Sequence, residues 1–171
     1  MSNPLAEIRA LGLPVTWATV RAGWDGIGAF SRLLKADDVR DFAQEQIDKA
    51  PDDSLADIVE LSTVDDEGAV TPVLSRLAST VTDRDIRIWR SYLLTKLLAN
   101  LPTSPISGLS ELTSFWNTLG FPRDMPHVVQ GLGNDISPDQ YYTQDNYQKL
   151  VARHREWLRS EIAAIAGSSQ L

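Results

Sequence analysis

Cysteine is missing from all 171 residues, and with it go disulfide frameworks, thiolate nucleophiles and Cys-based zinc sites. A reducing compartment is the simplest home for such a chain, so a cytoplasmic location is expected. Histidine is nearly as scarce. His127 and His154 are the two present, so any histidine-based acid/base or metal scheme must use one or both, and neither lies in an H-E-x-x-H pattern. No Gly-Lys-Ser/Thr occurs, which removes the Walker phosphate loop. No run approaches the ~20 apolar residues that span a bilayer, and the opening Met-Ser-Asn-Pro-Leu-Ala-Glu lacks the basic and apolar regions of a secretory leader. Neither secretion nor membrane insertion is expected. No metal and no cofactor is expected either, because no ligand pattern for one is present.

Positive charge is lacking in the first half. Residues 1–85 hold 8 Lys and Arg against 16 Asp and Glu, whereas residues 86–171 hold 8 against 7, giving the net charge of −7. An acidic body of this kind repels phosphates and attracts basic partners, so nucleic acid is not expected to bind. What the chain does have is hydrophobic residues at 43% and five tryptophans, enough for a packed core in one domain of this length.

The apolar spacing is helical almost throughout. Leu5, Ile8 and Leu11 predict a short helix ending at Gly12, and Val15 to Ala22 a second one after Pro14, with Gly23 and Gly26 turning the chain. Val39, Phe42, Ala43 and Ile47 form one stripe of a helix capped by Asp37 or Asp38 and followed by Pro51. A short helix from Asp53 or Ser54 to Ser62 is expected to bury Leu55, Ile58, Val59 and Leu61. Asp65-Asp66-Glu67-Gly68 then reads as a solvated loop, and Pro72 as the first position of the next helix. The broadest apolar face runs from about Asp83 to Asn100, capped by Thr82 or Asp83, with Ile86, Trp89, Leu93 and Leu97 as one ridge. It is the expected central core helix. Leu109 to Leu119 follows as a helix, Phe121 to Gln144 as ordered loop, and Gln144 to Ala166 as the last helix, burying Val151, Trp157 or Leu158, Ile162 and Ile165. The expected fold is all-α, a single-domain irregular bundle of about seven to nine short helices over residues 1–166, with a flexible tail at 167–171.

Motifs with chemical potential are few. Gly23-Trp-Asp-Gly-Ile-Gly28 looks like a nucleotide-binding loop, but no buried strand precedes it, so it reads as a turn. The 65–68 segment lacks the spaced ligands of a calcium loop. His127, beside Pro126 in a loop, reads as accessible, and His154 as a surface residue of the last helix. Arg90, next to Trp89, is either a buried ion-pair partner or a surface residue, and the five tryptophans read as core. Three acidic clusters stand out: Asp37, Asp38 and Asp41; Asp52, Asp53 and Asp57; and Asp65, Asp66 and Glu67. Helix capping accounts for part of them, but not for so many with Arg40 and Lys49 as the only cations between the first and the last.

Val15-Thr-Trp17 with Gly23-Trp24, Asp38-Val39 with Phe42-Ala43, Asp85-Ile-Arg-Ile-Trp-Arg90 with Leu93-Leu94 and Leu97-Leu98, and Phe121-Pro-Arg-Asp-Met125 together resemble a bacterial family of uncharacterised small helical proteins over roughly residues 13–135. Gly131-Leu-Gly-Asn-Asp135 departs from the aromatic-rich stretch such proteins carry, and no role is assigned to 130–144. The resemblance implies an immunity-like partner of polymorphic or contact-dependent toxins, with no catalytic residues of its own. The expected partner is a cognate toxin domain, a basic nuclease, met by the chain as a monomer through the nine acidic residues named above. Charge reversal of Asp52, Asp53 and Asp57 is then expected to slow association more than it destabilises the fold. Two other classes are carried along: a small hydrolase or RNase using His127 with Asp124 or Asp135, and a self-associating adaptor.

Overall fold

The computed structural model describes residues 3–167. Local chemistry starts each helix. α1 (Pro4–Ala10) begins on Asn3, whose side chain accepts the Leu5 N–H, with Pro4 where a missing N–H costs nothing. α2 (Trp17–Asp25) begins on a reciprocal pair, Thr16 accepting from the Thr19 N–H and Thr19 from the Thr16 N–H. α3 (Ala36–Gln46) begins on Lys35, so neither Asp37 nor Asp38 is its N-cap. Asp38 instead accepts the Lys35 N–H from within the first turn, at 2.8 Å. A single 3₁₀ turn (Ile47–Lys49) leads past Pro51 into α4 (Leu55–Ser62). The remaining helices are α5 (Glu67–Leu77), α6 (Asp83–Ala99), α7 (Pro105–Thr118), α8 (Pro138–Tyr141) and α9 (Gln144–Gly167). Among the described residues there is no strand, and the all-α expectation holds. The expected flexible tail lies, from residue 168 onward, outside the described residues.

Two adjoining apolar cores organise the bundle. The first is built by α1 to α5 with Ile88, Trp89 and Tyr92 of α6, and Ile165 of α9 reaches into it. The second gathers Leu94 and Leu98 of α6 with α7, α8 and α9. α6 therefore runs through both, as its breadth predicts, and Phe30, Leu93, Leu119 and Ile162 pack against either side.

Several local expectations are corrected. α5 starts at Glu67, ahead of Pro72, because Asp66 accepts the Gly68 N–H at 2.9 Å and caps it. Pro72 sits inside the helix, where it cannot donate to the Gly68 carbonyl. The inward ridge of α6 is Asp85, Ile88, Trp89 and Tyr92, while Ile86 is 40% exposed. The phase is set by polar anchors: Asp85 accepts from Thr19 Oγ1 at 2.9 Å, and Trp89 Nε1 donates to the Thr19 carbonyl at 2.7 Å. On α4, Ile58 and Leu61 are buried, but Leu55 and Val59 are not. Gly23 does not turn the chain. It lies within α2, flat against Trp89, and the turn falls to Gly26 at φ +88°. The 121–144 segment is ordered loop apart from α8, which starts on Ser137 with Gln140 accepting back from its N–H.

Candidate functional site

The three acidic clusters lie on neighbouring helices, since α3 packs on α4 and α4 on α5, but their members do different work. Asp37 pairs with Arg40, which also reaches Asp65 at 3.6 Å and donates to the Val64 carbonyl. Arg76 is clamped between Asp57 at 2.8 Å and Glu60 at 2.7 Å, and Arg32 holds Glu67 at 2.7 Å. Asp38 and Asp66 serve helix starts. Asp41, Asp52 and Asp53 are exposed, and among the described residues no ion pair forms to them or to Asp48, which the clusters read from sequence omit. The unpaired acids of these clusters thus lie in the middle of α3, in the 3₁₀ turn and at the entry to α4. Asp37, Asp38 and Asp41 also line a shallow cleft of about 370 Å³ with Asn3, Pro4, Leu33 and Lys35.

Both histidines are corrected from surface to interior. His127 is 4% exposed and His154 fully buried. Trp116 Nε1 donates to His154 Nε2 at 2.9 Å and His154 Nδ1 donates to the Leu150 carbonyl at 2.6 Å, so the ring is neutral with its proton on Nδ1. His127 Nε2 meets Thr113 Oγ1 at 2.8 Å, and its ring centroid lies 5.3 Å from that of His154. Burial pushes His127 down to about 3, helped by the positive charge of Arg153 and by the neighbouring His154, with which it would have to share a second positive charge. Burial likewise pushes His154 down to about 4, against the opposing pull of its Leu150 hydrogen bond. Neither ring presents a proton acceptor to solvent. Asp124, one of the two carboxylates the hydrolase alternative sets beside His127, is engaged elsewhere.

That engagement is a charge network at the seam of α6 and α9, buried at Arg90 and Glu161 and open to solvent at Asp124. Arg90 forks onto Asp124 at 3.0 and 2.7 Å and donates to Glu161 at 2.8 Å, and Arg87 grips Glu161 at 2.7 and 2.9 Å. The Arg90 guanidinium lies 4.8 Å from the Trp157 ring centre. Burial opposes ionisation of Glu161 and of Asp124, but the hydrogen bonds from the arginines outweigh it and hold both carboxyls below their ordinary range. Arg90 is therefore the buried ion-pair partner of the two alternatives, and the Pro-x-Asp-Met turn is structural. Glu161 has no counterpart in the sequence reading, although a signal was available. Leu150, Leu158 and Ile165 define the inward stripe of α9, and His154 and Glu161 fall on that stripe by helical spacing.

Among the described residues no group of His, Asp and Glu is arranged to hold a metal ion, and no helix is long and apolar enough to cross a membrane. The chain belongs to the family described as an uncharacterised protein conserved in bacteria (DUF2247), which matches residues 6–162 and so includes the 131–135 stretch. No curated protein and no solved structure matches it.

Proposed function

We propose that the chain is an immunity protein, which binds a cognate bacterial toxin domain, a basic nuclease, and neutralises it. The observation that carries the proposal is a group of four exposed acids, Asp41, Asp48, Asp52 and Asp53, close together in sequence on the α3 to α4 side of the first core, to which no ion pair forms among the described residues. A nuclease must carry positive charge to hold phosphates, and an acidic surface meets that charge with fast, steered association. Asp37, Asp57, Asp65 and Glu67 contribute less to such a field, because arginines of the same chain already lie against them. Neither rival class gains a comparable observation: both histidines lie inside the second core, and Trp24, Trp89 and Trp116 are spent on internal packing.

The test is association kinetics with the polypeptide encoded immediately upstream, at low and high salt, beside rescue of that polypeptide's toxicity. A tight complex is expected whose association rate falls steeply with salt and drops at least ~10-fold when Asp52 and Asp53 are changed to Lys. Adding Asp57→Lys also releases Arg76 and so mixes a stability effect into the rate. A complex whose association ignores both salt and these charges would remove the acidic surface from the proposal, and no complex would remove the proposal.

A further inference from the structure

We infer that the outward face of α4 is the apolar anchor of the docking surface, and that its occupant is a basic face of the toxin domain presenting a large apolar side chain; this rests on the immunity reading. Among the described residues, α4 is the helix that exposes two large apolar side chains one turn apart, Leu55 at 36% and Val59 at 42%. Ala56, also exposed, extends the stripe. The face of the helix toward the first core is filled by Ile58 and Leu61, at 1% and 0% exposure. Isolated exposed apolar residues are ordinary, and Ile86, Ile106, Leu132 and Tyr142 stand on other elements. A stripe at i and i+4 on one short helix is a laterally continuous patch.

The charges around the stripe choose among occupants. Asp52 and Asp53 form the turn that opens α4, Asp48 lies in the 3₁₀ turn before it, and Glu60 follows Val59 on the helix. Arg76 beside Glu60 is already clamped, and exposed Lys49 is the one Lys or Arg in residues 48–60. In a two-fold dimer through this face the same patch would meet itself, setting like charges against one another. Phosphates would be repelled in the same way. A basic protein face is attracted at the rim and can bury an apolar side chain at the centre, the anatomy of a specific interface. The two parts then divide the kinetics: rim acids govern how fast the partner arrives, and Leu55 with Val59 governs how long it stays.

The experiment compares wild type with Leu55→Ser/Val59→Ser and with Leu55→Met/Val59→Met, against the upstream-encoded polypeptide, with urea unfolding as a check on each fold. The serine pair is expected to raise the dissociation rate at least ~10-fold while leaving association within about 2-fold, and the methionine pair to stay near wild type. If wild type forms the complex and the serine pair leaves both rates within about 2-fold, the α4 anchor is overturned while the immunity reading stands. If wild type forms no complex with that polypeptide, both fall. If wild type self-associates and the serine pair abolishes it, the occupant is a second copy and the basic partner is wrong.

Discussion

Gly23 illustrates how a single residue sets the spacing of two helices. A Cβ at this position would lie 2.1 Å from Cζ2 of Trp89, inside the ring's own volume. Gly23→Ala should therefore destabilise the fold by at least ~1 kcal/mol in urea unfolding, because overpacking outweighs the gain in helix propensity. A stabilised variant would mean that Trp89 has room to move. The buried histidines give a residue-scale pH dependence whose sign is fixed. Each ring has its proton affinity lowered in the folded state, to about 3 and about 4, so the unfolded chain takes up protons that the folded chain refuses. Stability is complete above the unfolded value of about 6.5 and is lost as pH falls below it, approaching ~1.4 kcal/mol per pH unit for each histidine. Urea midpoints between pH 6.5 and 5 should drop accordingly, and His154→Gln should show a shallower drop from a lower starting point. A flat profile in wild type would place both rings in contact with water. From sequence alone, His127 beside a proline and His154 among charged neighbours both look exposed; one-dimensional neighbourhood misleads where the helical stripe does not.

Among the elements, the contrast between α4 and α9 is instructive. Both carry charged residues, but Arg76 with Asp57 and Glu60 ties α4 to α5 at the surface, whereas Arg90 and Arg87 with Glu161 tie α6 to α9 in the interior. Glu161→Ala should cost about 3 kcal/mol, since it strips a buried guanidinium of one carboxylate and leaves it Asp124 alone. Glu60→Ala should cost less than ~1 kcal/mol, as exposed pairs do. Equal losses from the two would show that Glu161 is hydrated in solution. Helix existence was legible in the sequence because apolar periodicity and caps are local signals, and α1, α3, α6 and α9 follow them closely, whereas α7 starts four residues ahead of its expected Leu109, with Pro105 in its first turn. Which stripe of a helix is covered is not a local property. Leu55 and Val59 carry the same apolar signal as Ile58 and Leu61, yet only the second pair lies where α4 faces the first core. The acidic surface was legible as composition, but its division into paired and unpaired carboxylates depends on Arg32, Arg40 and Arg76, each of which meets at least one acid remote in sequence.

At the scale of the whole molecule, the question is whether two cores mean two unfolding units. The chain order suggests a divide, since α1 to α5 build one core and α7 to α9 the other. Three features oppose independent melting. α6 is continuous from Asp83 to Ala99 and contributes buried residues to both cores, so neither can lose it alone. α9 returns to place Ile165 in the first core while Leu150 and Leu158 stay in the second. Phe30, Leu93, Leu119 and Ile162 pack against both, so opening either exposes the same apolar surface. Cooperative all-or-none unfolding is the expected consequence. The tryptophans provide the test, because Trp24 and Trp89 report on the first core and Trp116 with Trp157 on the second. Conservative Trp→Phe variants that leave emission from one core at a time should give urea transitions that coincide with each other and with the loss of helical circular dichroism, once each is corrected for its own shift in stability. If the second-core signal melted first while the first core kept its helicity, α6 would have to fray at Leu94. The acidic face and the α4 stripe would then belong to a unit that keeps its fold without α7 to α9.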